Sequence, residues 1–146
     1  MYKKHIIIIL FFLAIASALF WNHKFYFREV LSGDEAQYAC IAKTLIETGE
    51  YSSCGYTIDR EPVYPLFISG IYLLSSQDPY TVRIVQIFLF GFIVILVYLF
   101  AKRYFDEKVA LFSGLFISLW WALANYTGRY TREILMCFLL LLLINC

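Results

Sequence analysis

Long apolar runs without charge are the feature that most restricts how this chain can fold. Residues 6–21 and 109–126 contain no charged side chain, and residues 82–101 contain only Arg83. Because the apolar residues are continuous, neither a helical nor a strand period would leave a polar face for water. A membrane-spanning helix needs about 20 mostly apolar residues. The runs therefore predict an all-α fold, a multi-pass transmembrane helical bundle, and they exclude a soluble globular domain.

Composition and the end of the sequence refine this prediction. Hydrophobic residues make up 62% of the chain and charged residues 16%, against about half and about a quarter in soluble domains. A fourth run, 134–146, is still apolar where the sequence ends, so we expect these 146 residues to be the N-terminal part of a longer protein. The net charge of +1, without a Lys/Arg cluster, predicts no nucleic-acid partner.

The first run has two interpretations. Lys3 and Lys4, followed by an apolar stretch and Ala16-Ser17-Ala18, resemble a cleavable signal peptide. The apolar stretch continues beyond that site to Trp21, which favours a retained anchor close to the lower limit of spanning length. The predicted spans are therefore about 6–21, 82–101, 109–126 and 134–146.

Charges at the ends of the runs predict the orientation. Lys3 and Lys4 place the N-terminus in the cytoplasm under the positive-inside rule. Three further cations, in the loop after the second run, would lie on the same side: Lys102, Arg103 and Lys108. Residues 22–81 (the first loop) and 127–133 (the second loop) would then lie on the outer side of the membrane. We expect an integral membrane protein of the bacterial inner membrane. If the short apolar segment 63–74 spanned, everything after it would be inverted.

The first loop is predicted to carry two amphipathic helices on the membrane surface. Residues 34–48 have apolar side chains at helical spacing. Ser32 and Glu35 have the spacing of a capping box at the start of this helix, and Gly49 is placed to end it. Proline opens a second, apolar helix over about 62–74, because proline is tolerated in a first helical turn.

Cys40 and Cys54 both fall in the first loop. Outside the cytosol they could form a disulfide across their short separation, whereas free buried thiols are an equally good interpretation. Cys137 and Cys146 lie in the last apolar run, where we interpret them as small hydrophobic residues. The sequence therefore leaves the pairing of Cys40 and Cys54 open.

Several charged residues in the two loops are candidates for chemistry. Asp34 and Glu35 would supply a general base, and Asp34 would also be a ligand for a divalent metal ion. In the alternative interpretation both acids only complement the dipole of the helix start. Glu133 stands at the edge of an apolar run, where a carboxylate is costly unless it is paired or faces water, so it is either functional or a salt-bridge partner of Arg129. Three arginines suit the phosphate of a lipid-linked donor, because guanidinium groups match phosphate oxygens: Arg60, Arg129 and Arg132.

Over residues 32–144 the order of several short motifs resembles a known family. The motifs are Asp34-Glu35-Ala36-x-Tyr38, Arg60-Glu61-Pro62-x-Tyr64-Pro65-Leu66, Val82-Arg83-x-x-Gln86, Tyr98-Leu99-Phe100-Ala101-x-Arg103-x-Phe105 and Thr131-x-Glu133. Together they are similar to the GT-C class of polytopic membrane glycosyltransferases, in the branch of the protein O-mannosyltransferases and the lipid A aminoarabinose transferase. No single motif is specific to that class, but their order is.

The resemblance implies a catalytic function in the longer protein. Members of the class transfer a sugar from a polyprenyl-phosphate donor to a lipid, glycan or protein acceptor on the outer face of the membrane. The resemblance implies that Asp34 is a base or metal ligand, with Glu35 as a secondary acid, and that Glu133 is a second functional acid. We expect the 146 residues alone to be inactive. The alternative is a non-catalytic small multi-pass membrane subunit or a transporter fragment.

Overall fold

The chain forms an all-α structure, which confirms the predicted fold class. A computed structural model describes residues 2–25, 31–52, 54–55, 60–75 and 77–146. Within these ranges the helices are, in chain order, α1 (Tyr2–Phe25), α2 (Asp34–Thr48), α3 (Val63–Leu74), α4 (Pro79–Tyr104), α5 (Glu107–Leu119), α6 (Trp121–Tyr126) and α7 (Glu133–Asn145). The same ranges contain no strand.

Among the residues that the structure describes, two helices are long and apolar enough to cross a membrane. They are the segment Lys4–His23 of α1 and the whole of α4. The two pack against each other, and α4 also contacts α5 and α7. Their shared core contains Leu10, Ala14 and Phe90, all buried. Small residues such as Ala14 bring helix backbones close, which is how helices pack in a bilayer that offers no hydrophobic driving force between them.

The third and fourth predicted spans are short helices in the structure. Residues 109–126 divide into α5 and α6, because Trp120 leaves the helical conformation with φ −71° and ψ 102°. Helices α5 and α7 have 13 residues each. Each is therefore about 20 Å long at about 1.5 Å per residue, shorter than the roughly 30 Å of a bilayer core. Both spans, and the orientation that depends on them, stay predictions.

Two glycines let α1 lie unusually close to its neighbours. A Cβ atom on Gly91 of α4 would be 2.6 Å from Cε2 of Phe11, and one on Gly114 of α5 would be 2.8 Å from Cδ1 of Leu10. Both distances are shorter than real Cβ contacts. The close packing of α1 against α4 and α5 thus depends on glycine, which has no side chain, at positions 91 and 114.

The first loop contributes a second packed unit, in which α2 lies on α3. The rings of Tyr38 and Tyr64 meet edge to face with their centres 4.9 Å apart, a favoured aromatic geometry. Gly49 ends α2 as predicted, with φ 76° and its N–H donating to the Leu45 carbonyl oxygen. The buried cluster of this unit includes side chains of α4 and α7, so the unit is attached to the bundle.

The predicted capping box at the start of α2 is wrong. Gly33 is the N-cap, with φ 57°, and no side chain among the described residues caps the helix. Ser32 contributes its carbonyl oxygen, which accepts from the Glu35 N–H at 3.2 Å. The Glu35 carboxylate instead accepts from the N–H of Tyr130 at 3.2 Å, because the second loop packs against this helix end. Glu35 therefore links two loops.

A disulfide joins Cys40 in α2 to Cys54 in the segment that follows the helix, with their Cα atoms 6.3 Å apart. Cys137 and Cys146 are free thiols near the end of the chain. The disulfide closes the part of the first loop that contains the Gly49 cap. It thereby restrains the chain that leads from the end of α2 toward Arg60, which is one of the candidate site residues.

Candidate active site

The N-terminus of α2 carries the first of two ion pairs. Asp34 is the first residue of the helix, and its side chain is 63% exposed. Nη2 of Arg60 pairs with Oδ1 of Asp34, and Nε of Arg60 donates to Oε1 of Gln37 at 2.7 Å. The guanidinium carbon of Arg60 also lies 5.2 Å from the centre of the Tyr38 ring, a cation–π distance. Arg60 is therefore fixed by three residues of one helix.

The second ion pair joins the first loop to the second. Nη1 of Arg132 donates to Oε2 of Glu61 at 2.6 Å, and the hydroxyl of Tyr38 donates to Oε1 of the same carboxylate at 3.0 Å. Burial, together with the neighbouring Glu61, raises the pKa of Tyr38 to about 12. Burial also acts to raise the pKa of Glu61, but its backbone N–H, the Tyr38 hydroxyl and Arg132 outweigh burial and lower that pKa. At neutral pH Tyr38 is thus the donor and Glu61 the charged acceptor.

A cavity of about 320 Å³ lies between the start of α2 and the second loop. Its lining residues are Ser32, Asp34, Glu35, Arg129 and Thr131. The hydroxyl oxygen of Thr131 is buried and has no hydrogen-bond partner among the described residues. Both walls are polar and carry opposite charges, a carboxylate on the α2 side and an arginine on the loop side. A ligand that combines an acidic group with hydroxyl groups would match these walls.

The structure brings most of the predicted site residues to this region. Asp34, Glu35 and Arg129 line the cavity. Arg60 and Arg132 lie in the adjoining ion pairs. Glu133 is exposed as the first residue of α7 and is not among the residues that line the cavity. The geometry therefore groups five of the six residues and leaves Glu133 at the edge.

Sequence reasoning quoted Gln86 only as part of a family motif and missed that this residue anchors the second loop. Gln86 of α4 is fully buried. Its Nε2 donates to the carbonyl oxygens of Thr127 at 3.0 Å and of Arg129 at 2.7 Å, and its Oε1 accepts from the Tyr64 hydroxyl at 2.8 Å. The sequence did contain a signal, since an amide inside an apolar run is costly unless it has partners. That signal predicts that the Gln86 amide has hydrogen-bond partners, but it does not identify the residues that supply them.

A divalent metal ion was predicted at Asp34. Such ions take about six or more oxygen ligands. No group of three or more His, Cys, Asp or Glu side chains that could hold a metal ion occurs in the part of the chain that the structure describes. Asp34 and Glu35 each have one carboxylate oxygen engaged, Asp34 by Arg60 and Glu35 by the Tyr130 N–H. The metal stays a prediction, and no step below passes through it.

Comparison with known families gives the class of reaction. Residues 59–146, more than half of the chain, match the family of dolichyl-phosphate-mannose-protein mannosyltransferases. The chain belongs to this family. No match was found among curated proteins or among solved structures. The matched stretch of the mannosyltransferase family includes Arg60, Glu61, Gln86 and the second loop, whereas Asp34 precedes it. Membership places the chain among membrane glycosyltransferases of the GT-C type.

Proposed function

We propose that this chain is the N-terminal part of a membrane glycosyltransferase. The enzyme moves a sugar from a polyprenyl-phosphate donor to a lipid, glycan or protein acceptor at the outer face of the membrane. Family membership supports the class of reaction. The observation that carries the proposal is the cavity between α2 and the second loop, because Asp34 and Arg129 both line it.

Asp34 is the proposed base. The acceptor hydroxyl or amine attacks C1 of the sugar, the bond between C1 and the phosphate oxygen breaks, and polyprenyl phosphate leaves with inversion at C1. Asp34 takes the proton of the acceptor. Its side chain is 63% exposed, and its contact with Arg60 uses Oδ1, which leaves Oδ2 for the proton of the acceptor.

Arg129 is the arginine that we assign to the donor phosphate. Arg129 lines the cavity together with Asp34, and Arg60 and Arg132 lie in the adjoining ion pairs. Guanidinium groups form charge-assisted hydrogen bonds with phosphate oxygens, and these strengthen as negative charge builds on the leaving group. Arg60 and Arg132 would then hold the carboxylates of the site in place.

The test measures sugar transfer in membranes that contain the complete protein, with a polyprenyl-phosphate sugar as donor. Asp34→Asn is expected to lower kcat at least about 100-fold at unchanged expression, since a positioned base contributes that much or more. Asp106→Asn is the matched control. Asp106 caps α5 by accepting from the Val109 N–H at 2.8 Å, and asparagine caps a helix as well as aspartate does, so this variant keeps its turnover.

The outcomes separate the competing interpretations. Unchanged turnover in Asp34→Asn would return Asp34 to the role of an acid at a helix start. A loss of the same size in Asp106→Asn would mean that the assay reports general damage to the bundle. No turnover in the wild type, with any polyprenyl-phosphate sugar, would favour a non-catalytic membrane subunit or a transporter fragment.

A further inference from the structure

Polar side chains from three different helices converge on the backbone and side chains of residues 127–130 in the second loop. Asn22 of α1 donates through Nδ2 to the Thr127 hydroxyl at 2.7 Å. Glu35 of α2 accepts from the Tyr130 N–H at 3.2 Å. Gln86 of α4 holds the carbonyl oxygens of Thr127 and Arg129. Three helices that are far apart in the sequence thus meet on four consecutive residues.

The amide of Gln86 is fully used. Carbonyl oxygens only accept hydrogen bonds, so the nitrogen of Gln86 has to face Thr127 and Arg129. Its oxygen is then left for the hydroxyl of Tyr64, which is also buried. Both donors and the acceptor of one side chain therefore find partners in α3 and the second loop. An apolar or anionic residue of the same size would leave the two carbonyl oxygens without donors.

Tyr130 fixes the far end of the same segment. Its side chain is fully buried, its hydroxyl donates to the Pro79 carbonyl oxygen at 3.0 Å, and it shares a hydrogen bond of 3.3 Å with Tyr72. The loop is consequently held through its carbonyl oxygens, through an N–H and through a buried ring. Arg129 and Thr131, which line the cavity, stand within and directly after this fixed segment.

We propose that Gln86 and Glu35 are positioning residues, which hold the backbone of residues 127–130 so that Arg129 and Thr131 face Asp34 across the cavity. This inference rests on the proposed function for its catalytic consequence, but the arrangement of the loop can be tested without turnover. It assigns Glu35 a structural contact in place of a second catalytic acid. It gives Gln86, a residue of the apolar span, a role in the site.

Two substitutions of Glu35 separate positioning from acid–base chemistry. Glu35→Gln keeps a side-chain oxygen that accepts from the Tyr130 N–H, and it is expected to keep kcat within about threefold of the wild type. Glu35→Ala removes the acceptor, and we expect a fall in kcat/KM of about tenfold or more for the donor. If the two variants lose kcat equally while the loop stays protected, Glu35 acts in the chemistry and the proposal is wrong for this residue.

Hydrogen exchange on the peptide that covers residues 127–133 reports the position of the loop independently of turnover. In Gln86→Leu this peptide is expected to exchange about tenfold faster than in the wild type, because two carbonyl groups lose their donors. Ser118→Ala is the matched control, since Ser118 is fully buried and its hydroxyl donates within α5 to Leu115 at 2.8 Å. The control is expected to leave exchange in 127–133 unchanged.

Gln86→Glu is the second variant, in case Gln86→Leu does not accumulate in membranes. The protonated carboxyl group keeps one O–H donor for the loop, whereas the ionised form faces two carbonyl oxygens. The exchange rate of 127–133 relative to the wild type at the same pH is therefore expected to increase as the pH rises in Gln86→Glu and to stay unchanged in Ser118→Ala. Unchanged exchange in both Gln86 variants, or an equal increase in every peptide of the protein, would overturn the proposal. The exchange results therefore test the positioning proposal even if the wild type transfers no sugar.

Discussion

The disulfide between Cys40 and Cys54 permits a prediction whose size follows from the chain length that it closes. The two cysteines are 14 residues apart. Cross-linking such a loop of about 15 residues removes conformational entropy from the unfolded chain worth about 3 kcal/mol at 25 °C. Cys54→Ala should therefore lower the free energy of unfolding by about 3 kcal/mol. That is a substantial part of the roughly 5–15 kcal/mol by which most domains are stable.

The measurement is reversible unfolding in mixed detergent micelles, for the wild type and Cys54→Ala with and without reductant. Cys137→Ala is the control, because Cys137 is a free thiol in α7. The reduced wild type and Cys54→Ala should coincide, and Cys137→Ala should respond to reductant as the wild type does. A difference below about 1 kcal/mol between oxidised and reduced protein would refute the loop-closure reasoning.

The same pair tests the predicted orientation. Disulfides persist outside the cytosol and are rare within it. Before reduction, an alkylating reagent added to denatured whole-cell protein should therefore leave Cys40 and Cys54 unmodified, and after reduction it should label both. If both thiols are labelled without reduction in freshly prepared cells, the first loop faces a reducing compartment. The assignment of residues 22–81 to the outside would then be wrong.

Three further predictions concern packing and charge. Gly91→Ala places a Cβ atom 2.6 Å from Phe11, so unfolding in micelles should become easier by about 1–3 kcal/mol, and Phe11→Leu in the same chain should recover most of the loss. The pKa of Glu61 is lower in the folded protein than the ordinary Glu value of 4.5. The interactions of its carboxylate, the pair with Arg132 among them, therefore stabilise the folded state fully above pH 4.5. A pH titration should show up to about 1 kcal/mol lost as the pH falls below that value, and Arg132→Gln should reduce this loss without abolishing it, because the backbone N–H and Tyr38 also lower the pKa of Glu61. Tyr38→Phe removes a donor to Glu61 and so moves its folded-state pKa back toward the ordinary value. The acid loss should then be smaller and complete at a higher pH, and stability at neutral pH should fall by about 1 kcal/mol.

Local patterns in the sequence predicted the helices well. Continuous apolar runs indicated α1 and α4 because a chain segment with no polar face has few alternatives to a buried or lipid-facing helix. The position of Gly49 predicted the end of α2, since a left-handed residue after a helix is favoured at glycine. Each of these signals is contained in a short window. They required no knowledge of which segments meet.

The contacts of the site depend on segments that are distant in the sequence, and local patterns predicted them poorly. The spacing of Ser32 and Glu35 fits a capping box, yet the N–H of Tyr130 competes for the same carboxylate, from 95 residues away. The break at Trp120 has no glycine or proline to announce it. The partner of Gln86 is a loop more than 40 residues further along the chain. Such choices are decided by tertiary packing, which a single sequence window does not contain.

The contacts of the carboxylates narrow the choice of base further than the sequence did. A base needs an oxygen that is both accessible and not already committed to a donor. Glu61 uses one oxygen for Tyr38 and the other for Arg132. Glu35 accepts from the backbone N–H of Tyr130 through Oε1, a contact that holds the second loop. Asp34 lines the cavity and meets Arg60 through one oxygen only, so its second oxygen is the one that we propose takes the proton of the acceptor.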